Sequence, residues 1–390
     1  MNRVRSLIAL LFLLPALGSA ADPIADLQQR IKNGQEKLTF DTKQGYLVSL
    51  LKTLNVPISS QTLIFSKTSL QSEGISPKAP RALYFNDDVY VAWVQGASSI
   101  EIMSIDPKRG SMFYGLAQEN DGRPEFELIT GHICSACHHV SGMTKFVPRL
   151  LFSSVIPDES GGVEGTYPIQ TTDESPMEER WGGWYVTGTH GAQRHLGNIV
   201  LKTPVSPLGN LPRVDFSKSS NLKDLSKLLD TSRYLSPHSD IVALMVLAHQ
   251  VDIHNLIALA GVKPEADPKE SGEPLVRAML FSGAAPLKEP VSGTSNFAKE
   301  FSERGPRDNR GRSLRELDLK TRLFRYPLSY MIYTNAFDEM PENVKAYVFR
   351  RLLEVLTGKD QSRDFAHLSN SDRIAILEIL RETKVGFPKP

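Results

Sequence analysis

The sequence predicts an α+β protein: an N-terminal helix and an antiparallel β-meander, a central segment that carries both cysteines, and a mainly helical C-terminal half. Three observations support this. Short runs rich in β-branched and aromatic residues follow one another between residues 62 and 116, separated by turn residues. Apolar residues recur at helical spacing from about residue 220 onward. Cys134 and Cys137, the only two cysteines, sit in one tight motif.

Taken in order, Met1-Asn2-Arg3-Val4-Arg5 is a basic start, Leu7 to Leu17 is apolar, and Gly18-Ser19-Ala20-Ala21 offers a small-residue cleavage site. Residues 1–21 therefore read as a signal peptide, with a mature start at Ala21 or Asp22. An uncleaved anchor is the alternative, but eleven apolar residues fall short of the roughly 20 that span a bilayer. No later segment reads as a transmembrane span. The expected location is periplasmic or otherwise secreted. Losing Arg3 and Arg5 leaves 43 basic residues against 44 acidic ones, a net charge of −1 that invites neither nucleic acid nor an acidic membrane.

Residues 22–125 form the first predicted region. Ile24 to Leu54 has helical spacing interrupted at Gly34 and Gly45, and Pro57 stops it. Strands are expected at Thr62 to Ser66, Arg81 to Phe85, Val89 to Val94, Ile100 to Ile105 and Ser111 to Leu116. The turns Asn86-Asp87-Asp88 and Asp106-Pro107-Lys108-Arg109-Gly110 make the last four an antiparallel meander. Val89 to Val94 is apolar on both faces and reads as a central, doubly covered strand. Residues 126–215 form a second region, with a long Gly, Thr and Pro-rich loop from Gly161 to Ser175. Residues 216–390 are read as helical. Ser239-Asp240 caps a helix through Leu259, and further helices are expected at Pro274 to Ser282, Leu314 to Tyr326, Glu342 to Leu356 and Ser371 to Thr383.

Cys134-Ser135-Ala136-Cys137-His138 is the C-x-x-C-H arrangement that attaches c-type haem. Both thiols would bond the vinyl groups of one haem c per chain, and His138 would be the proximal iron ligand. Three other readings compete. A disulfide here closes too short a loop to stabilise much. A thioredoxin-like pair needs a βαβ setting, and Glu125 to Thr130 is a weak strand. Zinc held by the two thiols with His138 or His139 would need adjacent histidines in one tetrahedron.

The ligand opposite His138 separates a carrier from an enzyme. Trp184 to His195 is the richest candidate segment: His190 lies between flexible glycines, His195 follows, and Arg194 and Trp184 suit propionate pairing and stacking. His190 is the first choice for the distal position, with His195, Met177 and His249 as alternatives. Met177 lies 39 residues beyond His138, although Glu178, Glu179 and Arg180 beside it look solvated. His249 and His254 sit roughly 140° apart around one helix and cannot readily share a metal. The cluster Arg304, Arg307, Arg310, Arg312 and Arg315, interspersed with acids, reads as a solvated face or a dock for an acidic redox partner.

The motif Cys134 to His138 resembles that of cytochromes c. Ser66-Lys67-Thr68-Ser69-Leu70-Gln71, Arg81 to Asp88, and Arg180-Trp181-Gly182-Gly183-Trp184-Tyr185 are similar to a family of large bacterial secreted proteins known only as cytochrome c domain-containing. That resemblance implies a haem c protein without implying a substrate. Dihaem peroxidases carry two C-x-x-C-H motifs, whereas this chain has one. The expected role is one-electron transfer with a partner protein or small molecule. A haem enzyme, peroxidase-like or oxidising a small molecule, and a redox or gas sensor are the rival readings, and no catalytic residue is assigned.

Overall fold

Alternating side chains sort the two faces of the sheet into two cores. The computed structural model describes residues 22–106, 109–129, 150–207, 209, 214–262 and 267–389. The expected signal peptide and the Cys134, Cys137 and His138 motif lie outside them. Six strands, β1 (Thr62–Ile64), β2 (Arg81–Phe85), β3 (Val89–Trp93), β4 (Ser99–Asp106), β5 (Gly110–Ala117) and β6 (Phe126–Leu128), pair antiparallel in sequence order. On β2 and β3, Ala82, Tyr84, Val89, Val91 and Trp93 face one core, while Leu83, Phe85, Tyr90 and Ala92 face the other. β3 is buried along its whole length, as its two-sided apolar sequence requires.

The first core is closed by two helices, α1 (Pro23–Lys32) and α2 (Leu47–Thr53), rather than one interrupted helix. Gly34 and Gly45 fall between them at positive φ. Asp22 caps α1 through Ile24 N, 3.0 Å, and its carboxylate is also held by the hydroxyls of Ser104 on β4, 2.7 Å, and Tyr114 on β5. The helix is thereby fixed to the sheet at its first turn.

The opposite face carries a long helix, α3 (Ile241–Val262), followed by α4 (Pro268–Met279), α5 (Phe297–Glu303), α6 (Asn335–Asp338), α7 (Glu342–Leu356) and α8 (Asn370–Thr383). α3 is apolar around its circumference, which suits a helix enclosed on all sides. It corrects the expectation that no later segment could span a membrane: Ile241–Gly261 is long and apolar enough, with mean hydropathy 1.5, yet 89% of that window is buried inside the protein. Its cap is as expected. Asp240 Oδ1 accepts from Val242 N at 2.8 Å, and Oδ2 accepts from Thr294 N, 2.8 Å, and Ser295 N, 2.7 Å.

Three helical expectations fail locally. Leu314 to Tyr326 is a turn-linked hairpin with Leu317 bridged to Phe324. Asp318 Oδ1 captures the amides of Lys320, 2.8 Å, and Thr321, 2.7 Å, which a continuing helix would have needed. α4 begins six residues before Pro274, where Asp267 caps Lys269 N at 2.9 Å and Pro268 takes the first turn. Residues 220–240 are turns and one 3-10 turn rather than the start of a helical run. A two-stranded ribbon, β7 (Ser153–Ser154) with β8 (Ile169–Gln170), lies in the central region.

Candidate functional site

The tryptophan turn Trp181 to Trp184 is built under backbone strain. Trp181 has φ +69°, a left-handed conformation costing a non-glycine residue roughly 1–2 kcal/mol. Gly182 and Gly183 follow because nothing larger fits: a Cβ would lie 2.8 Å from the Val155 carbonyl oxygen at Gly182, and 2.7 Å from Ser66 Oγ at Gly183. The chain that re-enters after the cysteine-bearing segment lies against this turn. Ser153 O accepts from Trp184 Nε1 at 2.9 Å, and Ser154 Oγ accepts from Gly182 N at 2.8 Å. Leu150 is tied to Asn255 on α3 at both its amide and its carbonyl, 2.8 and 2.9 Å.

Beyond the turn, His195 lies edge-on to Trp181, ring centroids 5.5 Å apart, and to His190, 4.7 Å. His190 is 0% and His195 1% exposed. Among the described residues, Trp181 Nε1, His190 Nδ1 and both ring nitrogens of His195 find no hydrogen-bond partner of good geometry. Buried polar atoms are normally satisfied, so four orphans in one aromatic pocket require an explanation. His190 Nε2 accepts from Asn221 N at 3.1 Å, which places the proton of the neutral ring on Nδ1. Burial, with the neighbouring His190 second, pushes His195 down to about 3. His190 is lowered by burial as well. Both imidazoles are neutral at ordinary pH, the state a metal ligand requires.

Trp184 packs tilted at 43° against Phe152, centroids 4.6 Å apart, with its N–H satisfied by Ser153. Met177 is buried in the large core, while Arg180, expected to be solvated, is only 5% exposed. Arg194 is exposed and lies over the Phe216 ring at 5.2 Å. His249 is not gathered into the cluster's orphaned set. Its Nδ1 meets Asp173 Oδ2 at 2.6 Å and its Nε2 meets Ser329 Oγ at 2.7 Å. His254 is a residue the site assignment missed. Its Nδ1 contacts Tyr90 OH at 2.7 Å, its buried Nε2 has no partner, and burial pushes it down to about 3. The only sequence signal was a histidine on an apolar helix, which reads more readily as core.

The arginine cluster is not a free solvated face. Arg315 is buried over the rings of Phe301, 4.9 Å, and Tyr330, 4.3 Å, and pairs with Asp87. Arg312 pairs with Asp308 at 2.7 Å and with Glu378 at 2.8 Å. Among the described residues, no three His, Cys, Asp or Glu side chains gather as a metal site. No family model, curated protein or solved structure matches the chain.

Proposed function

We propose that this chain is an exported monohaem c-type cytochrome whose role is one-electron transfer, with Cys134 and Cys137 as the covalent attachment and His138 as the proximal ligand. The C-x-x-C-H motif carries this reading. The buried imidazoles of His190 and His195 support it, because each keeps at least one ring nitrogen without a good hydrogen-bond partner among the described residues, as a nitrogen donor to iron would. When bound, haem c supplies a one-electron couple tuned by its two axial ligands.

We place His195 ahead of His190 as the sixth ligand. A neutral imidazole ligates through its unprotonated nitrogen, and in His190 that nitrogen already accepts the Asn221 amide. Among the described residues neither nitrogen of His195 makes a hydrogen bond of good geometry, and its one weak polar contact is with the Gly197 backbone. His190 and Trp181 both pack edge-on against the His195 ring, which is 1% exposed. His138 and His195 would hold the iron between them, and a partner, a protein or a small molecule, would then exchange electrons without entering the site.

Haem staining after denaturing electrophoresis tests the attachment. The mature wild-type band should stain, and Cys137→Ala should lose most of the stain. Extraction of the haem from wild type by acidic acetone would show that it is not covalently held, and the proposal would fall.

A further inference from the structure

A cavity of about 690 Å³ opens among segments far apart in the chain, including the 282–287 loop and the 321–324 hairpin. Met245, Phe281, Leu287 and Phe324 give it apolar walls. Four arginines, Arg180, Arg277, Arg322 and Arg363, also line it, against two carboxylates, Asp173 and Asp364. Two of the arginines are neutralised: Arg277 pairs with Asp364, and Arg322 pairs with Asp372 at 2.7 Å.

Arg180 is different. It is 95% buried, its Nε donates to Ser175 O at 2.8 Å and its Nη2 to Asp173 O at 2.9 Å, and no carboxylate among the described residues forms an ion pair with it. The nearby Asp173 carboxylate is engaged instead by His249, 2.6 Å, which continues to Ser329 Oγ, 2.7 Å. The order Asp, His, Ser suggests a hydrolytic relay, but Ser329 is fully buried and its Oγ accepts the Met331 amide at 3.2 Å as a helix cap. It presents no nucleophile to the cavity. The relay holds the Asp173 carboxylate on His249, so it acts on Arg180 only through space and forms no ion pair with the guanidinium.

We propose that this cavity binds a small organic oxyanion, a carboxylate or a phosphate monoester, whose charged head pairs with Arg180 and whose apolar body lies against Phe281 and Phe324. A buried guanidinium held by two backbone carbonyls and no ion pair is costly to desolvate, and an oxyanion presents acceptors matched to its fork. The aromatic walls then distinguish an organic anion from an inorganic one. The inference does not rest on the haem reading, because no cavity-lining residue is an assigned haem ligand.

Isothermal titration of the full mature protein tests it, with benzoate, phenyl phosphate, benzamide and inorganic phosphate as probes. Benzoate or phenyl phosphate should bind saturably, and whichever is tighter identifies the head group. Benzamide and inorganic phosphate should each bind at least about tenfold more weakly. Arg180→Gln should weaken the tighter probe by about tenfold or more. Since Arg180 also holds two loop carbonyls, Ala284→Trp is the second variant: it fills the cavity, leaves those hydrogen bonds in place and should abolish binding without lowering the melting temperature. Equal affinity for benzoate and benzamide, equal affinity for inorganic phosphate and the organic anions, full binding by Ala284→Trp, or no saturable binding of any probe would each overturn the proposal.

Discussion

His195 lies edge-on to His190 with ring centroids 4.7 Å apart, and among the described residues neither Nδ1 has a hydrogen-bond partner of good geometry. Two neutral rings in contact, each with an unsatisfied buried nitrogen, are a poor way to stabilise a core and a good way to hold a ligand in readiness. The asymmetry between them gives the first prediction. Asn221 fixes the tautomer of His190, whereas His195 has only a weak contact with the Gly197 backbone. His195→Ala should convert a low-spin ferric spectrum to high spin, whereas His190→Ala should leave it low spin with a shifted potential. A methionine-to-iron charge-transfer band in the wild-type spectrum would move the sixth position to Met177 instead.

Stability should fall on mild acidification. His254 is pushed to about 3 and His190 is lowered, both by burial, from an unfolded value near 6.5. The folded state therefore binds fewer protons than the unfolded one. The stabilisation is complete above about pH 6.5 and is lost as pH falls from there toward 3, each histidine contributing up to about 1.4 kcal/mol per pH unit. Asp88, pushed up to about 6 by burial, acts in the opposite direction, one group against two. Urea midpoints should drop between pH 6.5 and 5, before carboxylates such as Asp360, held down at about 2 mainly by Arg351, begin to protonate. His254→Gln should flatten that slope. A midpoint unchanged over this window would contradict the buried neutral histidines.

Much of the architecture is legible in the sequence because it depends on local periodicity. The meander follows from period-two alternation and from Asn86, whose side chain accepts the amides of Asp88, 3.0 Å, and Val89, 2.9 Å, to close the turn. The cap of α3 follows from Asp240 standing before an apolar run. Leu314 to Tyr326 misleads because its apolar spacing suits a helix while Asp318 withdraws two amides from it. The burial of Arg180 and the cavity are invisible in the sequence for a different reason. Their walls come from residues 173–180, 277–287, 321–327 and 363–367, which no local pattern connects. The pairing of His190 with His195 lies between these cases, since spacing made both candidates but only the Asn221 contact separates them.

Asp240 joins helix and loop through one carboxylate, so its loss should be felt twice. Asp240→Ala removes the cap from Val242 and leaves the Thr294 and Ser295 amides without their acceptor in a buried setting. A cap is worth about 1 kcal/mol, and each stranded buried donor adds about 1–3 kcal/mol. The variant should lose roughly 3 kcal/mol or more in urea denaturation. Asp240→Asn, which keeps one acceptor oxygen, should lose less. Equal losses for the two would show that charge rather than hydrogen bonding matters there.

The choice between carrier and enzyme depends on whether the sixth position exchanges. If His195 occupies it, packed edge-on by Trp181 and His190, an external ligand must first displace a buried imidazole, and the strained Trp181 turn packed on residues 153–155 resists the opening that this needs. A fixed ligand set also keeps reorganisation small, which favours electron transfer. Mixing the ferrous protein with carbon monoxide should therefore give slow or negligible binding, and mixing the ferric protein with hydrogen peroxide should give no rapid spectral change. His195→Ala should accelerate carbon monoxide binding by at least about tenfold, because it vacates the position that wild type keeps filled. Fast stoichiometric reaction of wild type with both ligands would instead make this a haem enzyme, with His195 free to act as a general base rather than bound to iron.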